Sequence, residues 1–352
     1  MSIEKKKVLI IDDSAMIREF LTKCINEFPE FIVIGSAENP KIGAEKIIEL
    51  NPDMITLDIE MPVMDGLTFL EKLMRFRPLP VVMFSSYTDR NSKAALMALE
   101  LGAVDYIKKP PTDLFSIKDE LHSKLLACRL AKVTANPKSG QGLEKKFTPQ
   151  TQLKSKGQIL KPVTNVIAIG ASTGGTVALT KLFNLLPSTL PPIVIVQHMP
   201  AGFTKTFADR LNNEGSILVK EAVSDDLLLP GHAYVAPGGK QTEVILSSSG
   251  TKLSINAAPI FNRHCPSVDV LFNSMAKNLK GNGVGVIMTG MGDDGASGLL
   301  LMKQNGATTL AQDEGSCVVY GMPKVAVSKG AVTKSLDIEG IAKELTKFAN
   351  NT

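Results

Sequence analysis

The sequence predicts an α/β protein with two doubly wound parallel sheets, one in each of two domains, and a small antiparallel hairpin beside the second sheet. Short apolar segments alternate with amphipathic segments over most of the chain, which is the pattern of strands and helices in such sheets. Carboxylate, hydroxyl, imidazole and ammonium side chains follow many of the apolar segments, at the strand ends where parallel sheets gather reacting groups. The chain has 352 residues, enough for two domains of roughly 150 residues each.

A basic segment separates the two predicted domains. Residues 132–161 carry seven lysines against one glutamate, with few apolar residues and no periodicity, which is typical of a linker. We predict a first domain over 1–125, a flexible lysine-rich linker over 126–162 and a second domain over 163–350. Aromatic residues make up only 5% of the chain, and so few rings for base stacking argue against nucleic-acid binding.

The beginning of the chain does not resemble a targeting signal, because its apolar run at 8–11 is interrupted at once by Asp12 and Asp13. No apolar stretch reaches the roughly 20 residues that a membrane-spanning helix needs. The four cysteines are scattered, without the spacing of a disulfide framework or a zinc site. We expect a cytoplasmic protein that does not insert into a membrane.

Four apolar strands are predicted in the first domain, and polar residues end each of them. The strand from residue 7 leads to Asp12 and Asp13, and the strand from residue 54 leads to Asp58. The strand from residue 80 ends on Ser85, and the strand from residue 104 ends on Lys109. Amphipathic segments separate these strands at 16–27, 42–50 and 67–75. The carboxyl ends of parallel strands lie at one edge of a sheet, so we expect the five side chains to lie together.

Three carboxylates in one pocket repel one another and therefore favour a divalent cation, and Mg²⁺ needs only one or two of them directly. The cation and the ammonium of Lys109 would neutralise a phosphoryl group transferred to Asp58, and Ser85 would hydrogen-bond its oxygens. Each of these residues alone would also fit a helix cap, a turn or a solvated surface. Their combination is what predicts a phosphate-accepting site.

Residues 1–125 resemble the receiver domain of response regulators, a flavodoxin-like fold. The resemblance rests on the Asp-Asp pair, the Asp-x-x-Met-Pro-x-Met-Asp-Gly run at 58–66, the serine at 85 and the Lys-Pro at 109–110. It implies that Asp58 is phosphorylated, by a sensor histidine kinase of the chemotaxis type as phosphodonor. It also implies roles for the surrounding residues: Asp12, Asp13, Asp58 and the Glu60 carbonyl for Mg²⁺, Ser85 and Lys109 for the phosphoryl group, and Tyr106 as the switch aromatic.

In the second domain a serine, a histidine and an aspartate each follow a predicted strand. Ser172 lies in a G-x-S-x-G run between a strand and a helix, which is a turn that presents a nucleophilic hydroxyl. His198 ends the next strand, 26 residues later, as expected for one strand–helix–strand crossover. A third strand, from residue 283, leads to a glycine-rich turn with Asp293 and Asp294. The pattern predicts that histidine removes the serine proton while an aspartate orients the imidazole.

The order serine, histidine, aspartate differs from that of α/β-hydrolases, so that fold is not predicted. The Gly-Ala-Ser-Thr-Gly-Gly run also suits a phosphate or dinucleotide, but it lacks the lysine of a P-loop and the spacing of a Rossmann turn. Residues 227–240 and 243–255 are interpreted as paired short strands of the hairpin. His232 and His264 follow no core parallel strand, so both are interpreted as structural or rim residues.

Residues 163–350 resemble the catalytic domain of the chemotaxis receptor methylesterase family, CheB. The matching runs are Gly-Ala-Ser-Thr-Gly-Gly, Gln-His-Met-Pro, Pro-Gly-His-Ala-Tyr-Val-Ala-Pro-Gly-Gly, Asn-Arg-His-Cys-Pro-Ser-Val-Asp, Thr-Gly-Met-Gly-Asp-Asp-Gly-Ala and Ala-Gln-Asp-Glu. The resemblance implies a triad of Ser172, His198 and Asp294, with Thr173 and the Met291 backbone supporting the oxyanion. It leaves Asp293 at a variable position and implies no cofactor in this domain.

The same resemblance implies a phosphorylation-activated esterase that removes γ-methyl esters from glutamates of methyl-accepting chemotaxis receptors and deamidates receptor glutamines. Gln241 and Cys265 depart from the family pattern and are predicted to lie away from the triad, where they would affect the substrate groove. Two alternatives stay open from the residues alone. One is a phosphorylation-gated binding module without catalysis, and the other is an esterase that acts on a non-chemotaxis receptor array.

Overall fold

The structure is a computed structural model that describes residues 4–62, 64–85, 89–110, 113–133, 163–248, 250–257 and 259–350. The chain divides into two compact units, Met1–Gln141 and Gly142–Thr352.

The first unit contains a parallel sheet of five described strands in the order β2-β1-β3-β4-β5, with helices between the strands. Its elements are β1 (Lys6–Ile11), α1 (Ala15–Glu27), β2 (Phe31–Ala37), α2 (Pro40–Leu50), β3 (Met54–Asp58), α3 (Gly66–Phe76), β4 (Val81–Ser85), α4 (Asp89–Leu101), β5 (Asp105–Lys108) and α5 (Lys118–Leu130). The four predicted strands and three predicted helices are confirmed. The edge strand β2 was not predicted; only its end residues Phe31 and Ala37 are buried, and Gly35 and Ser36 shorten its apolar run.

The predicted end of the first domain at residue 125 was too early. Helix α5 continues to Leu130, because Leu125, Ala127 and Cys128 are buried and hold its last turns against the sheet. The first residues of the predicted linker are therefore helical. Residues 134–162, which make up most of that linker, lie outside the described residues.

The second unit contains a parallel sheet of seven described strands in the order β14-β13-β12-β6-β7-β9-β8, and a separate antiparallel pair, β10 and β11. Its strands are β6 (Val166–Ala171), β7 (Ile193–Gln197), β8 (Leu218–Glu221), β9 (His232–Val235), β10 (Gln241–Ser247), β11 (Gly250–Asn256), β12 (Gly283–Ile287), β13 (Thr308–Gln312) and β14 (Lys334–Leu336). Its helices are α6 (Gly175–Phe183), α7 (Phe203–Glu214), α8 (Val268–Leu279), α9 (Ala296–Gln304), α10 (Met322–Ser328) and α11 (Ile338–Asn350).

The hairpin exists, but its first strand was predicted wrongly. Strand β10 pairs with β11, from Gln241 opposite Asn256 to Ser247 opposite Gly250. The segment predicted as its partner contains β9, which lies in the main sheet between β7 and β8. Three consecutive residues of β9 are buried, as expected for a strand that is covered on both faces.

The strand order places β6 between β7 and β12. The chain leaves β6 toward β7 and returns to its other side at β12, so a topological switch point lies at the carboxyl end of β6. Crevices at such points are the usual ligand sites of open α/β sheets. None of the helices that the structure describes is long and apolar enough to cross a membrane.

Candidate active site

Ser172 follows β6 directly and lies on a tight turn into α6. Gly174, which precedes the helix, has a φ of +77°, a backbone conformation that glycine adopts without steric cost. The Gly175 N–H donates to the Ser172 carbonyl at 2.7 Å, and the Ser172 N–H donates to the Thr289 carbonyl at 3.0 Å. The turn is thus fixed on both sides, which holds the serine at the strand end as the sequence predicts.

His198 lies beside this turn at the end of the neighbouring strand. Ala171 pairs with Gln197 in the register of β6 and β7, and the His198 N–H donates to the Ala171 carbonyl at 3.1 Å. The buried amide of Gln197 donates to the Ser172 carbonyl at 2.9 Å and to the His198 carbonyl at 3.3 Å. Gln197 therefore joins the two turns, a role that sequence reasoning did not assign.

Asp294 is fully buried and accepts hydrogen bonds on both carboxylate oxygens. Its Oδ2 accepts from His198 Nε2 at 2.8 Å and from the Val268 N–H at 2.7 Å. Its Oδ1 accepts from the Ser267 hydroxyl at 2.8 Å and from the Asp269 N–H at 3.2 Å. Burial alone would raise the pKa of Asp294, but the hydrogen bonds from His198, Val268 and Ser267 outweigh it and lower the pKa to about 2. The carboxylate is therefore ionised at neutral pH.

The contact with Asp294 determines which nitrogen of His198 is basic. A carboxylate only accepts, so Nε2 carries the proton of that hydrogen bond and Nδ1 carries the lone pair in the neutral ring. The His198 side chain is only 9% exposed, and no hydrogen-bond partner for Nδ1 is found among the described residues. A buried acceptor without a partner is unusual in a folded protein. It is the atom expected to take a proton from a nearby hydroxyl.

The acidic pocket of the first unit forms as predicted around Asp12 and Asp58. Lys109 Nζ lies 2.9 Å from Asp12 Oδ2 and 2.7 Å from Asp58 Oδ2. Burial raises the pKa of Asp58 to about 6; Asp12 adds to the rise, and the opposing effect of Lys109 does not cancel it. Asp13 is exposed, and carboxylate oxygens of the three aspartates lie within 4.8 Å of one another. This donor set fits a divalent cation that prefers oxygen ligands.

The other predicted residues are Glu60, Ser85 and Tyr106. The Glu60 N–H donates to Asp58 Oδ1 at 3.4 Å. Ser85 is buried at the end of β4, and its carbonyl accepts from the Lys109 N–H at 2.7 Å. Tyr106 is buried on β5, with the ammonium of Lys124 4.9 Å from its ring centroid.

Comparison with known proteins identifies both units. A family model for the CheB methylesterase matches residues 167–345, and a model for the response regulator receiver domain matches residues 8–119. The chain belongs to the CheB methylesterase family. Its second unit is thus a CheB methylesterase domain and its first unit a receiver domain.

Relatives cover nearly the whole chain. A protein of Geobacter metallireducens named protein-glutamate methylesterase/protein-glutamine glutaminase 1 is 49% identical over 336 residues, which cover 94% of this chain and 93% of that protein. A protein-glutamate methylesterase/protein-glutamine glutaminase of Escherichia coli K12 is 46% identical over 345 residues, 97% of each chain. The crystal structure of the Thermotoga maritima CheB methylesterase catalytic domain is similar with a TM-score of 0.51 and 35% identity, over 53% of this chain and 99% of that chain.

In this CheB domain the loop that follows β12 reaches the serine closely. The Gly290 N–H donates to the Val319 carbonyl at 3.0 Å, and the Gly290 carbonyl accepts from the Met322 N–H at 2.8 Å. A Cβ atom at Gly290 would lie 2.6 Å from Ser172 Cβ, so only glycine allows this approach. The peptide that leads into Met291 is thereby fixed beside Ser172. Thr173 is buried, and its carbonyl accepts from the Thr289 hydroxyl at 3.0 Å.

His264 was predicted as a structural or rim residue, and this was wrong in one respect: it touches the triad. Its ring is stacked on the ring of His198, with centroids 3.8 Å apart and an interplanar angle of 8°. His264 lies in an irregular loop, where neither strand alternation nor helical periodicity marks a position. Asn262 before it and Pro266 after it are residues typical of a turn, and the backbone of Asn262 and Arg263 has φ of +49° and +65°.

Gln241 does not touch the triad, but it holds the loop that does. Its side chain donates to the His264 carbonyl at 3.0 Å and accepts from the Ser267 N–H at 2.8 Å. It therefore contacts His264, whose ring is stacked on His198, and Ser267, whose hydroxyl donates to Asp294. The Cys265 carbonyl accepts from the Gly239 N–H at 3.0 Å, and its thiol is half-buried in the same loop.

Proposed function

We propose that this protein is a phosphorylation-activated serine esterase that hydrolyses γ-methyl esters of glutamates on methyl-accepting chemotaxis receptors, and that it also deamidates receptor glutamines. Close relatives carry both activities in their names, and they align over nearly the whole chain. The observation that carries the proposal is the hydrogen bond between His198 Nε2 and Asp294, which leaves a buried basic Nδ1 beside the turn of Ser172.

In the acylation step His198 Nδ1 takes the hydroxyl proton of Ser172 while Oγ attacks the ester carbonyl. The ionised Asp294 stabilises the imidazolium that forms. The C–O bond to the methoxy group then breaks, and His198 returns the proton to the leaving oxygen so that methanol departs. The glutamyl group stays as an ester on Ser172.

In the second half of the reaction His198 takes a proton from water, and the hydroxide attacks the acyl-enzyme. The Ser172 Oγ leaves with that proton, which releases a free glutamate side chain. An attack on a glutamine side chain follows the same steps, except that ammonia leaves in place of methanol. One serine site therefore accounts for both activities in the names of the relatives.

The developing oxyanion needs donors that are fixed before the reaction. We assign this role to Thr173 and to the backbone of Met291, because both lie in segments whose peptides are held in place beside Ser172. No cofactor is needed for these steps in the second domain.

In the receiver domain Asp58 is the proposed phospho-acceptor. We assign Asp12, Asp13, Asp58 and the Glu60 carbonyl to Mg²⁺, which would neutralise charge on the incoming phosphoryl group. Lys109 already lies within hydrogen-bond distance of Asp58 and would pair with the phosphoryl oxygens. Ser85 and Tyr106 would respond to the modified aspartate.

A receiver domain takes its phosphoryl group from a histidine kinase, and we propose a kinase of the chemotaxis type. The substrates would be the glutamate-bearing helices of the receptors on their cytoplasmic side. We accordingly propose that the protein works in the cytoplasm and reaches the membrane only through its receptors.

The experiment is to measure methanol released from radiomethylated receptor membranes by the wild type and by Ser172→Ala, each with and without a small-molecule phosphodonor and Mg²⁺. We expect release that requires Ser172 and rises with the phosphodonor. Release by Ser172→Ala at the wild-type rate would contradict the proposed chemistry. A folded wild type that releases no methanol but binds receptors only with the phosphodonor would favour the phosphorylation-gated binding module.

A further inference from the structure

The loop that carries His264 is held from several sides. Phe261 and His264 exchange two backbone hydrogen bonds, at 3.1 and 2.8 Å, which close a tight turn over Asn262 and Arg263. Gln241 binds the far end of the turn through the His264 carbonyl. Such a loop places its histidine ring as firmly as a regular element would.

Hydrogen bonding also defines the tautomer of His264. Its Nδ1 lies 2.7 Å from the Asn262 carbonyl, which can only accept, so Nδ1 carries a proton. Burial and the neighbouring His198 lower the pKa of His264 to about 4; Arg263 acts in the same direction, whereas Asp294 opposes it. The ring is therefore neutral at neutral pH, with its proton on Nδ1.

Carboxylate and ring atoms of His198, His264 and Asp294 lie within 4.8 Å of one another, which is also a spacing for metal ligands. The stacking argues against that role. Nitrogen lone pairs lie in the plane of their ring, and the two ring planes are nearly parallel and 3.8 Å apart. The lone pairs therefore do not converge on one point, as tetrahedral coordination requires.

We infer that His264 is a positioning residue for the proposed esterase reaction, a neutral imidazole whose face fixes the ring plane of His198 so that Nδ1 meets the hydroxyl of Ser172. The hydrogen bond to Asp294 holds only one edge of the His198 ring, and the ring can still turn about that bond. A parallel ring against its face removes this freedom. Because His264 is neutral, it does not repel the imidazolium that His198 becomes, and its π face attracts a cation.

The test compares His264→Ala with His264→Phe in the full-length protein, with methanol release from methylated receptor membranes and fluorophosphonate labelling of Ser172 as readouts. His264→Ala removes the stacked face, and we expect kcat and the labelling rate to fall about 10- to 100-fold with KM changed less than about twofold. His264→Phe restores a flat face without any nitrogen, and we expect it to recover kcat to within about fivefold of the wild type.

His232→Ala is the matched control. His232 also places Nδ1 near a carbonyl two residues earlier, at 2.9 Å, but it begins β9 at the opposite edge of the sheet from the triad. Its kcat should stay within about twofold of the wild type. Thermal unfolding of each variant distinguishes loss of fold from loss of positioning. If His264→Ala does not fold, the kcat of His264→Phe relative to the wild type tests the inference by itself.

Two results would overturn the inference. His264→Ala with wild-type kcat would show that the face is not needed, and His264→Phe as slow as His264→Ala would show that a nitrogen, not the face, matters. The inference rests on the proposed function, so Ser172→Ala is assayed in parallel. Methanol release by Ser172→Ala would refute the proposed function itself, whereas an inactive Ser172→Ala beside a fully active His264→Ala would refute only the role of His264.

Discussion

A carboxylate that is excluded from water needs donors on both oxygens, and Asp294 has two on Oδ2 and three on Oδ1, the third being the Asn262 amide at 3.5 Å. The low pKa that results keeps Asp294 charged at neutral pH. At the scale of single residues, Asp294 thus keeps its charge through its donors and holds one edge of the His198 ring.

Replacing Asp294 with asparagine tests the value of this charge. The Val268 N–H and His198 Nε2 both require an acceptor at the Oδ2 position, so the amide oxygen should take that position and preserve the His198 tautomer. The negative charge is lost, and the amide NH2 at the Oδ1 position can no longer accept from the Asp269 N–H; we expect kcat for methanol release to fall about 100- to 1,000-fold. Asp293→Asn is the control, because that side chain is 49% exposed and lies 4.0 Å from Arg263; it should change kcat less than about twofold. A kcat for Asp294→Asn within tenfold of the wild type would contradict the assigned role.

The raised pKa of Asp58 predicts that the stability of the receiver domain depends on pH. Its pKa rises from 3.8 to about 6 on folding, so the folded state binds more protons than the unfolded state between these values. The stability of the receiver domain should therefore fall as the pH rises through that range, by about 3 kcal/mol.

Asp58→Asn removes the ionisable group, and with it the loss of stability between pH 4 and pH 8. We expect the variant to be more stable than the wild type at pH 8 by up to about 3 kcal/mol and at pH 4 by less than about 1 kcal/mol. Hydrogen exchange of the receiver strand amides, measured without Mg²⁺, reports the stability of that domain within the full chain. A difference that is the same at both pH values would mean that the ionisation of Asp58 is not its cause.

At the scale of elements, strand ends were predictable and loops were not. Ser172, His198 and Asp58 lie at or directly after buried parallel strands, whose apolar runs are visible in the sequence and whose carboxyl ends share one edge. His264 touches His198 from a turn, and Gln241 at the start of a hairpin binds that turn; such contacts depend on three-dimensional packing that no period in the sequence records. The hairpin strand was misplaced for a related reason, since β9 is short and is flanked by turn residues like those of a hairpin.

The contact between β6 and α8 is a second element-scale feature with a testable consequence. A Cβ atom at Gly170 would lie 2.2 Å from Val268 Cγ1, so the glycine lets the start of α8 approach the sheet. We expect Gly170→Ala to push α8 outward, to lower the free energy of unfolding by about 1–3 kcal/mol and to lower kcat, because Ser267 and Val268 move away from Asp294.

Urea unfolding and methanol release check this prediction. Gly315→Ala serves as the control, because its added Cβ would meet only Asp313 Oδ1 at 3.8 Å, and it should be nearly neutral in both assays. If Gly170→Ala were as stable and as active as Gly315→Ala, the close packing of β6 on α8 would not be what holds the donors of Asp294.

At the scale of the whole molecule, both units have a parallel α/β sheet whose candidate site residues lie at the carboxyl ends of the strands. In the receiver domain Asp12 follows β1, Asp58 ends β3 and Lys109 follows β5; in the CheB domain the triad follows β6, β7 and β12. We propose that the unphosphorylated receiver restrains the esterase.

Removal of residues 1–162 should then give a higher basal rate of methanol release than the unphosphorylated full chain, and a rate that no longer responds to phosphodonor. Full-length Asp58→Asn should also fail to respond, but with the basal rate of the wild type. A truncated protein with an unchanged or lower basal rate would argue against restraint and for direct activation by the phosphorylated receiver.

The backbone hydrogen bonds to Asp294 affect which substitutions the site tolerates. Two of the five donors to Asp294 are main-chain N–H groups at the start of α8, from Val268 and Asp269, and every amino acid except proline supplies such a group. Side-chain changes at these two positions therefore leave the donors themselves in place, whereas a proline would delete one. The position of Asp294 therefore depends partly on backbone donors. It should tolerate substitutions that would remove the donors of a site built from side chains alone.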